Sequence, residues 1–198
     1  MAQLQGMKVA ILADNGFEQV ELMNPRQALD EAGAETKVVS PQTGQIRGWN
    51  FKEWGESVPV DVPLEQARAD EFDALLLPGG VMNPDRLRVN PQAVQFVKSF
   101  FDAGKPVAVI CHGPWTIIEA GQARGRRIAS WPSIKTDLRN AGAEWVDKEV
   151  VVDRNLVSSR KPEDIPAFNR EMTKLFGEAQ TRGAGKSARE QPAARPSA

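Results

Sequence analysis

The sequence predicts an α/β domain built on a mainly parallel sheet, and three observations carry that prediction. Short, nearly continuous apolar runs recur at residues 7–13, 72–77 and 105–110, as strands covered on both faces require. Segments with a helical apolar period lie between them. Glycine-bearing turns follow each run: Asp14-Asn15-Gly16, Pro78-Gly79-Gly80 and His112-Gly113-Pro114.

Taken in order, residues 7–13 read as the first strand. A helix is expected over 20–32, with Leu22, Ala28, Leu29 and Ala32 apolar and Gly33 as its stop. Residues 35–40 read as a second strand, completing a βαβ opening. Residues 44–48 and 57–61 read as short strands paired in a hairpin. The aromatic residues between them, Trp49, Phe51 and Trp54, are expected to pack over a sheet edge; the other reading is a binding or subunit-contact surface. Residues 72–77 form a buried strand ahead of the glycine turn. Asn83 and Pro84 fit the N-cap and first position of a short helix. Residues 91–103 read as an amphipathic helix through Val94, Phe96, Val97, Phe100 and Phe101, stopped by Gly104. Further strands are expected at 105–110, 128–131, 148–153 and 155–159, and helices at 113–120, 134–141 and 162–176. From Gly177 onward no hydrophobic period remains. One domain is therefore expected over residues 1–177, with residues 178–198 a disordered tail.

Composition narrows the function. The chain has 198 residues, 41% hydrophobic and 26% charged, with a formal net charge of -1. Such a chain buries enough surface to fold without a disulfide or structural metal. Near-zero charge gives no indication of nucleic acid or an anionic membrane as partner. No apolar run approaches the ~20 residues of a membrane span, and the first residues show no signal peptide. A single Cys and a single His exclude a zinc site of the usual Cys/His type, so no metal is expected. One cysteine forms no internal disulfide and suits a reducing cytoplasm.

That cysteine, Cys111, ends a buried strand and is followed by His112, Gly113 and Pro114. A strand-to-helix elbow there would place a nucleophile at the C-terminal sheet edge, where open α/β sheets carry their sites. The helix N-terminus is expected to favour thiolate over thiol. Cys111 as a buried small hydrophobe is the competing reading, but Gly113, Pro114 and the lone histidine beside it favour a reactive centre.

Several motifs together resemble the ThiJ/PfpI family within the class I glutamine amidotransferase-like superfamily, nearest its PfpI-type protease and general stress protein branch. They are Gly16-Phe17-Glu18 with Glu21-Leu22, Leu77-Pro78-Gly79-Gly80, Ile110-Cys111-His112-Gly113-Pro114, Val150 to Asp153 and Val157 to Arg160. The resemblance covers residues 7–176. It implies a flavodoxin-like three-layer α/β/α sandwich with a nucleophile elbow and no bound cofactor. It also implies Cys111 as nucleophile, Glu18 with its carboxyl on the sulfur, and backbone N–H groups of Gly80 and His112 as the oxyanion hole. His112 would be oriented by a neighbouring subunit's acid, which falls on Asp85 where the branch has glutamate. Arg160 would be a substrate or anion contact. The implied partners are a second copy of the chain, in a dimer or hexamer, and small carbonyl compounds or glycated or peptide substrates. The implied activity is hydrolysis of reactive carbonyls or early glycation adducts. A cysteine peptidase and a redox sensor or protein-protective factor are the alternatives.

Overall fold

The computed structural model describes residues 3–189. The chain runs β1 (Lys8–Leu12), α1 (Gln19–Glu31), β2 (Glu35–Ser40), β3 (Gln45–Asn50), β4 (Glu53–Pro59), β5 (Val62–Pro63), β6 (Ala74–Leu77), α2 (Met82–Arg88), α3 (Pro91–Asp102), β7 (Val107–Ile110), α4 (Pro114–Glu119), β8 (Arg127–Ile128), α5 (Lys135–Asn140), β9 (Glu144–Trp145), β10 (Val150–Asp153), β11 (Leu156–Ser159) and α6 (Ile165–Arg189). Seven strands form the central sheet in the order β10-β11-β7-β6-β1-β2-β5. All its pairs are parallel except the β10–β11 edge pair.

The apolar runs explain why helices cover both faces. Side chains alternate along a strand, so each run feeds two cores. Ala10, Leu12, Leu75, Leu77, Val107, Val109 and Leu156 point to one face, against Phe96 and Phe100 of α3, Ile117 of α4 and Leu138 of α5. Val9, Ile11, Leu76, Ala108, Ile110 and Val157 point to the other, against Leu22 and Leu29 of α1 and Phe168, Met172 and Phe176 of α6. The result is the three-layer α/β/α sandwich with a mainly parallel sheet that the sequence predicts.

Three local expectations change. Asn83 does not cap α2, which begins at Met82. Its side chain is wholly buried: Nδ2 donates to the carbonyls of Pro78 and Gly79, and Oδ1 accepts from the Asp14 N–H. Three backbone groups of the glycine turn and the β1 end, two of them with no other partner, claim the amide, which outweighs a helix cap. The cap signal belongs instead to Asn90, whose side chain accepts from the N–H groups of Gln92 and Ala93 at the start of α3. The strand expected at 128–131 shrinks to β8, which pairs with β9 in a separate two-stranded sheet. The last helix passes its expected end at Phe176 and continues to Arg189, so residues 178–189 are helical rather than an irregular tail. Glu, Ala, Gln, Arg and Lys there are good helix formers and outnumber the unfavourable Gly183 and Gly185, so a helix already nucleated on the core extends through them. The expected tail's remainder, residues 190–198, lies outside the described residues.

Candidate active site

The site sits at the C-terminal ends of β1, β6 and β7, where the parallel strands stop and their turns gather. Cys111 follows β7 with φ 63°, a left-handed conformation for a residue with a Cβ. The surroundings hold it there: its N–H donates to Ser159 O, its carbonyl accepts from Trp131 N–H, and Gly113 N–H closes the turn on Ile110 O. Backbone strain maintained by neighbouring structure is the mark of a nucleophile elbow. The residue is 6% exposed, at the floor of a cavity of about 480 Å³.

The backbone N–H groups of Gly80 and His112 both point at the sulfur. Gly80 has φ 78°, and a Cβ on it would stand 2.7 Å from Gly16 O and Glu18 N. A Cβ on Gly79 would meet the Glu21 carboxyl at 2.5 Å and Cys111 Cβ at 2.6 Å. The two glycines therefore let the turn press against the elbow.

The acid on the sulfur is Glu21, not Glu18. Glu21 lies one helical turn into α1, wholly buried; its carboxyl hydrogen-bonds the Cys111 side chain and accepts from Gly79 N–H at 3.0 Å. Burial, reinforced by the nearby Glu18 charge, raises its pKa to about 8, so at neutral pH it carries a proton. Its Oε1 is buried without a partner. Glu18, in the extended segment before α1, lies on the pocket wall, where its carboxylate accepts from Phe51 N–H at 3.4 Å and burial raises its pKa. The motif holds two glutamates three residues apart, and sequence spacing alone does not say which faces the elbow. The three-residue step along α1 turns Glu21 under the sulfur.

Burial is the largest influence on Cys111 and pushes its thiol upward, as does charge on Glu21; the Gly80 and His112 N–H groups pull it down. The expected helix contribution is small, because α4 has only six residues. Protonated Glu21 repels no thiolate and instead offers the sulfur a donor. His112 Nδ1 lies 3.2 Å from the sulfur, and Nε2 lies 3.1 Å from Ser133 Oγ. Burial lowers the His112 pKa, leaving a neutral imidazole at pH 7 that can take the thiol proton. Trp131 stacks on the ring at 6.0 Å and Trp115 packs against it at 5.2 Å.

Asp85 is exposed on α2, and the polar partners of the His112 ring within the chain are Cys111 and Ser133 instead. Arg160 does not line the pocket; it is held by Asp147 and Asp164 in two ion pairs. Both carboxylates stabilise its charge, and neither leaves it aimed at a substrate. The hairpin aromatics depart from the sheet-edge expectation. Trp49 and Phe51 line the pocket, and Trp54 meets Trp49 edge to face at 5.5 Å. An isolated bridge between Glu18 and Trp49 brings the hairpin over the site. Sequence reasoning missed Glu21 as the contact, Ser133 and Trp131; only the Glu21 position carried a visible signal, the acid repeated within one motif.

The DJ-1/PfpI family profile matches residues 7–175. Deglycase PfpI of Pyrococcus furiosus is 48% identical over 170 residues, covering 86% of this chain and 99% of the relative. Protein/nucleic acid deglycase 2 of Escherichia coli is 44% identical over 172 residues, covering 86% and 98%. General stress protein 18 of Bacillus subtilis is also 44% identical, over 173 residues. Among solved structures, Drosophila melanogaster DJ-1beta superposes with a TM-score of 0.79 at 25% identity, covering 95% of this chain and all of that one. A two-domain protein from Anabaena variabilis with DJ-1/ThiJ/PfpI-like and ferritin-like domains gives 0.81 at 37% identity, covering 86% of this chain and 48% of that one. With its elbow cysteine, its three-layer sheet and these relatives, the chain belongs to the DJ-1/PfpI family.

Proposed function

We propose that the protein is a cysteine-dependent hydrolase of reactive carbonyls or their early glycation adducts, acting in stress response. The observation that carries this reading is Cys111 on a strained elbow at the floor of a small pocket, between a neutral base and a protonated acid. Relatives named deglycases, at 44–52% identity, support the same reading.

The chemistry follows from the geometry. The Cys111 sulfur attacks an aldehyde carbon, forming a C–S bond, while the thiol proton passes to His112 Nδ1. The carbonyl oxygen gains the negative charge and meets the N–H groups of Gly80 and His112, which are already fixed in place. With methylglyoxal the product is a hemithioacetal. Moving one proton from the former aldehyde carbon to its neighbour, and the hydroxyl proton from the one oxygen to the other, converts this to a lactoyl thioester. Water then releases lactate and restores the thiol. Glu21, holding its proton beside the sulfur, is placed to exchange protons with the substrate oxygens. For a hemiaminal adduct of an amine, the C–S bond forms as the bond from the same carbon to nitrogen breaks, and the amine leaves with the proton His112 took from the thiol.

We also propose that the working unit contains a second copy. Asp85 lies on an exposed face of α2, flanked at four-residue spacing by Val81 and Val89, which are 55% and 77% exposed. Val81 also borders the pocket, so a copy docked on this face reaches the site. The peptidase reading is weaker, because the aromatic walls around about 480 Å³ suit a small substrate better than an extended chain. Release of lactate from methylglyoxal by wild type and by Cys111→Ala tests the assignment. The expected result is loss of at least 100-fold in the variant; equal rates sink it.

A further inference from the structure

We infer that Ser133 is the positioning residue for His112, holding the imidazole so that Nδ1 faces the Cys111 sulfur. The inference rests on the reading of Cys111 and His112 as a nucleophile and its base, and goes beyond it by naming what orients the base within one chain.

The ring makes two polar contacts, one at each nitrogen: Nδ1 with the sulfur and Nε2 with Ser133 Oγ. A neutral imidazole has one proton, and accepting from the thiol requires that it sit on Nε2. In that tautomer Nε2–H donates to the Ser133 oxygen. The same contact fixes the ring's rotation about its outer bond, which the flat stacking of Trp131 alone leaves free to flip.

Ser133 is itself well placed. It lies in a short 3-10 turn, Pro132–Ile134, directly after Trp131. Trp131 N–H donates to Cys111 O, so this turn is tied to the elbow it serves. Upstream, Ser130 Oγ accepts from Trp145 Nε1 and Ala129 N–H donates to Ser158 Oγ, which anchors the segment to β9 and β11. Downstream, Ile134 is buried in the core. Backbone fixed on both sides of an exposed serine aims its hydroxyl at the ring.

The test reads Cys111 directly, by iodoacetamide alkylation at pH 7, with no substrate assumed. Ser133→Ala is expected to slow alkylation about fivefold, the scale of one net hydrogen bond. Ser133→Thr, which keeps the hydroxyl, restores the rate. In a His112→Ala background, Ser133→Ala changes nothing further, because its effect passes through the imidazole. In lactate release from methylglyoxal, Ser133→Ala lowers kcat and leaves KM unchanged. Equal alkylation by wild type and Ser133→Ala overturns the inference, as does the same fivefold loss in the His112→Ala background. Absence of lactate release with the alkylation pattern intact would overturn the proposed reaction and leave the role of Ser133 standing.

Discussion

Glu21 shows how one buried side chain ties stability to function. Its carboxyl is wholly enclosed, and its pKa of about 8 lies well above the ordinary 4.5. Between those values the folded chain holds a proton that the unfolded chain has released. Stability from this group is therefore highest below about pH 4.5 and is lost as pH rises to 8, by an amount on the order of 4 kcal/mol. Glu21→Gln removes the ionisation while keeping an acceptor for Gly79 N–H. Its thermal midpoint should exceed that of wild type, with the gap widening from pH 5 to pH 8 in scanning calorimetry. A constant gap would show that Glu21 titrates normally. The same substitution should slow lactate release, because the amide cannot pass a proton.

At the scale of elements, the site is a meeting of turns, and Asn83 joins two of them. Its amide binds the end of β1 through Asp14 N–H and the glycine turn after β6 through two carbonyls. Asn83→Ala leaves the Asp14 N–H and the Pro78 carbonyl buried and unpaired, while Gly79 O keeps the Glu18 N–H, at a cost of roughly 3 kcal/mol. Urea unfolding should show the lower midpoint. Because Gly80 sits in the same turn and points its N–H at the sulfur, kcat should fall as well in the folded population. The hairpin β3–β4 works at this scale too. It is joined to the segment before α1 by Trp49 N–H donating to Phe17 O, and so carries Trp49 and Phe51 over the pocket.

At the scale of the molecule, both faces of the sheet are filled and no helix among the described residues is long and apolar enough to cross a membrane. Among the described residues, the exposed apolar side chains include Val81 and Val89, which flank Asp85 on the α2 face. If a second copy docks there, Val89→Arg should separate the copies in light scattering coupled to size-exclusion chromatography. Turnover should drop with it, while the circular dichroism of the fold is unchanged. Full activity in a monomeric Val89→Arg protein would show that one chain is sufficient.

The sheet and the place of the elbow cysteine were legible along the chain. Apolar runs of strand length, helical periods between them and glycine turns after them leave few architectures open, since each run must be buried on both sides. Cys111 and His112 at the end of such a run followed from the elbow's own residue types. The tertiary structure decided everything that depends on which way a side chain faces. Glu18 and Glu21 look equivalent along the chain, and α1 alone turns Glu21 under the sulfur while Glu18 stays on the rim. Along the chain nothing marks Arg160 as occupied; in the fold Asp147 and Asp164 close on it. Ser133 carries no signal in the sequence, because it reaches His112 from a turn twenty-one residues away. Periodicity records burial, which is local to an element; the partners of a polar group are set by the packing of elements distant in the chain.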